Sequence, residues 1–363
     1  MKIELMKRTI ELANRGSGFV NPNPLSGAVV AKDGNILGEG CYEAYGAEGA
    51  EIIALKQVSG DLSGAELYLN IVPFQSERRI REGLDLIKEK GIAKVVIGMT
   101  DPNPKKKLDY IEELSKLGVG YELGVLQEEC KEQNEIYTYY SKYKEPFVIV
   151  KWAMTLDGKL ATRTGDSKWI SSDDSLHFVH QLRQRVAAIM VGENTVKLDD
   201  PMLTTRLNGV KCSNPLRVIV SKYGDLPPDA RVLQVDDKVS TLILSSLNIS
   251  PTREEALLQK GVQIVKLKEV KGRLDFHEVM SLLGSMGIDS LYIEGGSAIL
   301  ASAFESGSVH KVYATIAPKI IGGRTAYTPV GGEGIERMRE ALVLKKVKYE
   351  VVGPDVIVKG YLI

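Results

Sequence analysis

The chain has 363 residues, more than one ordinary hydrophobic core holds, so its length predicts two domains. Its 47 basic residues balance its 47 acidic residues, and no basic stripe or membrane-length apolar run favours a nucleic-acid or membrane partner. Three isolated cysteines and an N-terminus without a signal-peptide pattern predict a cytoplasmic protein.

The first half of the chain alternates helix and strand patterns. A stripe of apolar residues predicts an amphipathic helix that Gly16 ends, and the turn residues 32–34 predict a hairpin. The predicted elements are helix Lys2–Arg15, strands Ser26–Ala31 and Asn35–Gly40, helix Glu48–Lys56, strand Glu66–Ile71, helix Ile80–Lys90, strand Lys94–Met99, and helices Leu108–Leu117 and Leu126–Tyr140. This alternation predicts a three-layer α/β domain over residues 1–145.

Four segments of this half carry a family resemblance: NPNPLSGAVVAKDG (21–34), AEIIAL (50–55), GIAKVVIG (91–98) and DPNP (101–104). With them, residues 1–145 resemble the cytidine-deaminase-like domain of the bifunctional riboflavin-biosynthesis deaminase/reductase family. That family pairs a diaminohydroxyphosphoribosylaminopyrimidine deaminase with a 5-amino-6-(5-phosphoribosylamino)uracil reductase.

The zinc ligands that this resemblance implies are missing. A zinc deaminase needs one His and two Cys, with a Glu two residues after the His to move protons. Here the His position is Gly49, the first Cys position is Phe74 and the second falls at Gly83. Glu51, the proton-shuttle position, is present and is interpreted as a solvated helix carboxylate. We therefore expect no zinc and no deaminase activity.

Glu145-Pro146 stops the last helix of this half and places the boundary near Lys144. The predicted strands of residues 146–363 are Phe147–Met154, Ala188–Gly192, Leu216–Val220, Thr241–Leu244, Val262–Leu267, Ser290–Glu294, Lys311–Ile316, Val347–Val352 and Asp355–Leu362. Helices are predicted at Asp173–Arg185, Thr252–Gln259, Phe276–Met286 and Ile299–Glu305. The order favours a parallel-rich α/β sheet with an antiparallel C-terminal hairpin.

Two glycine-rich turns follow strands of this half, at 294–297 and in APKIIGG (317–323). Glycine lets the backbone approach a phosphate, and a helix N-terminus offers free N–H groups. Each turn alone is weak support for a nucleotide. No G-x-G-x-x-G motif occurs, which disfavours a standard dinucleotide-binding domain.

Further motifs run in order through this half: VKWAMTLDGKLA (150–161), GDSKWI (165–170), VGENTVKLDDPMLTTR (191–206), NPLRVIV (214–220), YIEGG (292–296) and GPDV (353–356). Together with the glycine turns, they resemble the reductase domain of the same family. The resemblance implies a dihydrofolate-reductase-like fold, NADPH as cofactor, a phosphoribosylaminopyrimidine substrate and a homodimer.

The resemblance also implies which residues form the two ligand sites. Its NADPH-site residues are Ala153, Trp169, Thr195, Asp199 and the run Gly296, Ser297, Ala298, Ile299, Leu300, Ala301 and Ser302. Its substrate residues are Ser167, Arg183, Leu203, Arg206 and Glu294.

Lys151 is expected where the two ligands meet. Asp199 is the first candidate for the proton donor and Glu294 the second, and guanidinium groups of Arg183 and Arg206 suit a sugar phosphate. Lys222 stands where the family usually has a hydroxyl residue on the nucleotide side. A lysine there could pair with an NADPH phosphate or be solvated, and the solvated interpretation is favoured.

Two alternatives stay open. The reductase could act on the undeaminated diaminopyrimidinone or a related ribosylated heterocycle. The chain could instead be a non-catalytic partner of a separate deaminase.

Overall fold

The computed structural model describes residues 1–105 and 108–362. The chain forms two compact units, Met1–Lys144 and Glu145–Ile363. Within the described residues, no helix is long and apolar enough to cross a bilayer.

The first unit is a five-stranded sheet between two layers of helices. Its strands are β1 (Gly27–Lys32), β2 (Asn35–Cys41), β3 (Glu66–Ile71), β4 (Lys94–Met99) and β5 (Gly120–Leu123), in the order β2-β1-β3-β4-β5. Its helices are α1 (Lys2–Ala13), α2 (Ala50–Gln57), α3 (Glu77–Glu89), α4 (Tyr110–Lys116), α5 (Gln127–Gln133) and α6 (Glu135–Tyr143).

Alternating residues of β1 show how the layers arise. Val29 packs in one apolar cluster with α1 and α5, whereas Ala28 and Val30 pack with α2, α3 and α4. A strand with period-two alternation buries both faces only when each is covered, so the three-layer prediction is confirmed.

One predicted helix of this unit is wrong in extent. Residues 126–140 form two helices, α5 and α6, with a break at Asn134. The amide of Asn134 accepts from the backbone N–H of Leu25 at 2.8 Å and donates to the carbonyl of Leu25 at 3.1 Å. A side chain that bonds a distant backbone in this way favours an irregular position in the helix.

The second unit is built on a nine-stranded sheet. Its strands are β6 (Phe147–Thr155), β7 (Ala188–Gly192), β8 (Leu216–Val220), β9 (Thr241–Ser246), β10 (Gln263–Leu267), β13 (Ser290–Glu294), β14 (Lys311–Ala317), β15 (Lys345–Val352) and β16 (Asp355–Tyr361). The order is β10-β9-β8-β7-β13-β6-β14-β16-β15, and β11 (Glu269–Val270) with β12 (Arg273–Leu274) forms a separate ribbon.

Strands β10 through β14 of this order are parallel, and β16 and β15 are antiparallel to their neighbours. The helices are α7 (Asp173–Arg185), α8 (Glu193–Asp199), α9 (Pro251–Leu258), α10 (Phe276–Ser285) and α11 (Ser297–Glu305). Helix α8, the ribbon and β5 of the first unit were not predicted from the sequence. The parallel-rich sheet and its C-terminal hairpin were, and both are confirmed.

Candidate active site

A cleft of about 650 Å³ opens at the carboxyl ends of the parallel strands of the second unit. Residues just after β7, β8 and β13 line it, together with Lys151, Trp152 and Ala153 of β6. Ligands of parallel sheets bind at this edge, because strand ends and helix N-termini meet there.

Three charged side chains meet at the buried end of the cleft. In the register of β13 with β6, Glu294 lies opposite Lys151. The guanidinium of Arg183, on α7, donates two hydrogen bonds to one oxygen of Glu294, at 2.9 Å from Nε and 2.7 Å from Nη2, and a third to the carbonyl of Thr204. Among the described residues, no acceptor lies within hydrogen-bond distance of the Lys151 ammonium, although Lys151 is buried.

Burial sets the charge state of this cluster. Burial lowers the pKa of Lys151 below the usual lysine value, with an opposing contribution from Glu294 and a reinforcing one from Arg183. For Glu294, burial raises the pKa, but Arg183 and Lys151 outweigh burial and leave the pKa below its usual value. Glu294 is therefore an ionised acceptor, which fits substrate binding better than the proton-donor role predicted as second choice.

The C-terminal hairpin positions the helix that carries Arg183. The buried carboxylate of Asp355 accepts from the backbone and hydroxyl of Ser172, both at 2.8 Å, and from the hydroxyl of Ser175 at 2.7 Å. Ser172 is the N-cap of α7. A capped and anchored first turn fixes the helix direction, so the GPDV segment supports the site from outside the cleft.

The turn between β13 and α11 has the form expected of a phosphate-binding turn. Gly295 and Gly296 have φ values of +81° and +78°, which side chains other than glycine rarely adopt. A Cβ at Gly296 would lie 3.1 Å from the hydroxyl of Thr195, on α8. The turn thus brings the α11 N-terminus, with its unpaired N–H groups, to the cleft wall beside Thr195.

Asp199 and Leu203 flank the other wall of the cleft. The hydroxyl of Ser167 donates to Asp199 at 3.2 Å. Leu203 is buried with a φ of +54°, an uncommon conformation for a residue with a branched side chain. The neighbouring carboxylate of Asp200 accepts from the backbone N–H and from Nε of Arg231.

Arg206 lies beside Arg183 without lining the cleft. Its Nη1 donates to the hydroxyl of Thr204 at 2.8 Å, and its backbone N–H donates to Nδ1 of His180. Burial, followed by Arg183 and Arg231, lowers the pKa of Arg206, and burial with the two neighbouring arginines lowers that of His180 to about 4. The surroundings of Arg206 therefore carry excess positive charge.

Most residues predicted for the two ligand sites line this one cleft: Lys151, Ala153, Ser167, Arg183, Thr195, Asp199, Leu203, Glu294, Gly296, Ser297, Ala298, Ile299 and Ser302. Four do not. Leu300 and Ala301 face the core, because every third or fourth residue of α11 points into the sheet. Trp169 is 69% exposed, and its carbonyl accepts from Lys319. Arg206 is the fourth.

The cleft also contains residues that the sequence did not indicate. Lys222, interpreted as solvated, lines the cleft and pairs with Glu269 at 2.6 Å, which corrects that interpretation. Arg273, in the unpredicted ribbon, lines it too. Only the departure from the family pattern at Lys222 gave a signal in the sequence.

In the first unit, the interpretation of Glu51 as solvated is wrong. Glu51 is 2% exposed, and burial raises its pKa to about 7. A Cβ at Gly49 would lie 2.5 Å and 2.7 Å from the Glu51 carboxylate oxygens, and one at Gly83 would lie 3.4 Å from its Cγ. The two glycines leave the space into which the carboxylate turns.

One oxygen of Glu51, Oε1, is buried without a hydrogen-bond partner among the described residues. The same holds for both amide atoms of Gln75 and for the hydroxyl of Tyr110. No group of three or more His, Cys, Asp or Glu side chains in the described part of the chain is arranged to hold a metal ion.

Comparison with known proteins agrees with these two units. A family model described as the RibD C-terminal domain matches residues 146–358. Riboflavin biosynthesis protein RibD of Actinobacillus pleuropneumoniae is 39% identical over 98% of this chain and 94% of that protein. The crystal structure of a diaminohydroxyphosphoribosylaminopyrimidine deaminase/5-amino-6-(5-phosphoribosylamino)uracil reductase from Thermotoga maritima is 33% identical. It superposes with a TM-score of 0.82, covering 99% of this chain and 98% of that one.

Fold and cleft define a two-unit α/β protein, with a cytidine-deaminase-like first unit and a dihydrofolate-reductase-like second unit, as the sequence predicted. The chain belongs to the RibD family of riboflavin biosynthesis proteins, and its second unit is the reductase domain of that family.

Proposed function

We propose that residues 146–363 catalyse the NADPH-dependent reduction of 5-amino-6-(5-phosphoribosylamino)uracil, which converts its ribosyl group to ribityl. The observation that carries this proposal is the buried group of Lys151, Arg183 and Glu294 at one end of a cleft, with the α11 N-terminus along its wall. The T. maritima protein named as such a reductase shares this fold over the whole chain.

The residues of the cleft fit a dinucleotide. Gly295 and Gly296 leave the α11 N-terminus uncovered for a diphosphate, and a Cβ at Gly295 would meet nothing within 4 Å. Ala153, Thr195 and Asp199 would hold the remainder of the cofactor. The reduced nicotinamide supplies a hydride when bound.

Substrate would occupy the charged end. The sugar ring must open to an imine at C1′ before that carbon can accept hydride, and the imine nitrogen then takes a proton. Glu294 suits hydrogen-bond donors of the pyrimidine, and the excess positive charge around Arg183 and Arg206 suits the 5-phosphate. Ser167 would contact the sugar.

We propose Lys151 as the proton donor. An ammonium whose pKa is lowered by burial is a stronger acid than an ordinary lysine, and Lys151 has donors free for a ligand. Asp199, the first choice from sequence, would then orient the substrate through Ser167.

For residues 1–145 we propose a degenerate deaminase-like domain that binds no zinc and has lost deaminase activity. Gly49, Phe74 and Gly83 offer no metal ligand, and Phe74 packs instead against Tyr42, with ring centroids 5.2 Å apart. A separate deaminase would supply the deaminated substrate.

We also propose a homodimer through the second unit. Tyr349 and Val351 alternate along the regular part of β15, the outermost strand, and so lie on one face. Tyr349 and Val351 are 75% and 77% exposed. Exposed apolar faces of this kind are typical of interaction sites. Sedimentation velocity of the wild type and a Val351→Lys variant tests the proposal: we expect a dimer and a monomer, and a monomeric wild type contradicts it.

The test of the reaction is NADPH oxidation, followed by absorbance, with the deaminated and the undeaminated pyrimidine. Turnover of the deaminated compound alone supports the proposal. Faster turnover of the undeaminated compound would establish the alternative substrate. If neither compound is turned over and NADPH does not bind, the chain is a non-catalytic partner. Zinc analysis of the same sample tests the first unit, where one zinc per chain would contradict its assignment.

A further inference from the structure

Two cations occupy the end of the cleft beyond the α11 N-terminus. Lys222 lies two residues after β8, and Arg273 begins β12 of the short ribbon. Both line the cleft, as does Gly272 between the ribbon strands. The Nζ of Lys222 donates to the carbonyl of Gly272 at 2.9 Å, so the lysine is tied to the residue that precedes Arg273.

Each cation is held by a carboxylate. Lys222 pairs with Glu269 at 2.6 Å, and Glu269 is itself fixed by the hydroxyl of Ser246. Arg273 donates from Nη1 to Glu305 at 2.8 Å and to the hydroxyl of Ser302 at 3.4 Å. These contacts reduce the freedom of two long side chains before any ligand arrives, which lowers the entropic cost of binding.

The cations face the cleft, whereas their partners do not. Of the described residues, Lys222 and Arg273 are part of the cleft wall, and Glu269 and Glu305 are not. Glu193 is the carboxylate of the wall near this end. Its two oxygens accept from Ser221 and from Lys197. The surface presented to a ligand here is therefore positive.

Both cations also have donors that their carboxylates do not use. An ammonium has three donors; Lys222 directs two of them to Glu269 and Gly272, and its third lies near the exposed side chain of Tyr223. A guanidinium has five, and among the described residues Arg273 has hydrogen bonds from Nη1 alone. A second anion can therefore bind without displacing Glu269 or Glu305.

We infer that Lys222 and Arg273 form a subsite for the 2′-phosphate of the cofactor and so select NADPH over NADH. This inference rests on the proposed function for the cofactor, but it adds the residues that distinguish the two nucleotides. A dinucleotide whose diphosphate lies at the α11 N-terminus, after β13, can extend its adenosine ribose along the sheet edge past β7 to β8, where Lys222 lies. Arg273 reaches the same wall and donates to Ser302 of α11.

The carboxylates that hold these two cations raise the alternative that this end of the cleft favours NADH. A carboxylate close to the adenosine ribose accepts from its 2′-hydroxyl and favours NADH, whereas a guanidinium or ammonium accommodates the 2′-phosphate. Glu269 would take the first role if it turned to the cleft. Its contacts with Ser246 and Lys222 hold it outside the cleft wall, which favours the phosphate.

The experiment is calorimetric titration of the full-length protein with 2′,5′-ADP and with 5′-AMP, which differ by the 2′-phosphate alone. We expect the wild type to bind 2′,5′-ADP about a hundredfold more tightly, as charge-assisted hydrogen bonds from two cations imply. Lys222→Met and Arg273→Met should each remove about tenfold of that affinity, leave 5′-AMP binding unchanged, and together abolish the preference. Lys222→Ser serves as a second variant if Lys222→Met unfolds.

Lys266→Met is the matched control. It removes the same charge from the same unit and breaks a similar pair, with Glu254 at 2.9 Å, outside the cleft wall. A preference that survives in the double variant overturns the inference, and so does a wild type that binds both nucleotides equally or prefers 5′-AMP. A wild type with the expected preference that does not reduce the pyrimidine leaves the inference standing and refutes the proposed reaction.

Discussion

The two units each contain a buried carboxylate near other buried polar groups, but the groups differ in how they are satisfied. In the second unit, Glu294 is paired with Arg183 at 2.7 Å and its pKa is lowered. In the first unit, Glu51 has no charged partner within salt-bridge distance among the described residues, and its pKa is raised to about 7. Gln75 and Tyr110 beside it also have unpaired polar atoms.

This contrast separates a carboxylate held in a fixed ion pair from one that has no counter-charge. A fixed ion pair at the end of a cleft provides charge without reorganisation when a ligand binds. An unpaired carboxyl group in an apolar pocket instead becomes neutral and costs stability when it ionises. The difference follows from single residues: Arg183 faces Glu294, whereas glycines face Glu51.

The largest effect is expected for Lys151→Met, which keeps the length of the side chain and removes the proton and the charge. Turnover should fall on the order of 10³-fold, as for loss of a positioned general acid. NADPH binding, measured by fluorescence titration, should change little. Turnover within a few-fold of the wild type would show that Lys151 is not the donor.

The pH profile of the wild type and the variant Asp199→Asn distinguish the two candidate donors. Burial lowers the pKa of Lys151, so wild-type turnover should decrease as pH rises through that lowered pKa. This decrease should occur below the pH at which an ordinary lysine loses its proton. Asp199→Asn should lower turnover and retain this limb of the profile. Loss of the limb in Asp199→Asn would assign the proton to Asp199.

Glu294→Gln should have the next largest effect. It leaves the guanidinium of Arg183 buried without its counter-charge, and breaking such a pair costs roughly 3 kcal/mol in the free energy of unfolding. Urea denaturation measures this cost. Glu254→Gln is the control, because it breaks the more exposed pair with Lys266, whose loss should cost about 0.5 kcal/mol. Equal losses of unfolding free energy in the two variants would mean that the pair in the cleft stabilises the fold no more than an exposed pair does.

Glu51→Gln tests the first unit through the pH dependence of stability. A folded-state pKa raised to about 7 means that the stabilising contribution is complete below the unfolded value of 4.5 and is lost as pH rises through 7. The wild type should therefore lose about 2 kcal/mol between about pH 5 and pH 8, whereas the variant, always neutral, should not. Glu43→Gln, which removes an exposed carboxylate of the same unit that does not influence Glu51, should behave as the wild type. A wild type with no such loss would mean that Glu51 is hydrated.

The sequence was sufficient for the alternation of elements and for most of the cleft, because both depend on local patterns. Glu294 ends a strand, and Gly295 and Gly296 connect it to a helix, and that context alone places them at a sheet edge. Arg183 was found from the family resemblance, although its partner Glu294 is far away in the chain.

What the sequence could not provide depends on distant contacts. The burial of Glu51 requires Gly49 and Gly83, which belong to different elements. Lys222 becomes part of the cleft because Glu269 and Gly272 of a two-residue ribbon hold it, and so short a ribbon has no periodicity to detect. Trp169 lies in a polar loop whose course no local pattern determines.

The smallest effect is expected for Arg206→Ala, and it tests whether the positive charge beside the cleft belongs to the phosphate site. Arg206 contacts Thr204 and is influenced by Arg183 and Arg231, but its side chain does not line the cleft. Because it is partly hydrated, its loss should weaken substrate binding by only about tenfold, less than the loss of a buried charge pair. The effect should disappear with a substrate that lacks the 5-phosphate, since the remaining contacts involve Glu294 and Ser167.

Arg231→Ala is the matched control for Arg206→Ala. It removes a cation that Asp200 already neutralises at 3.1 Å, and it should change the KM less. Equal weakening with and without the phosphate would remove Arg206 from the phosphate site and leave Arg183 as its cation.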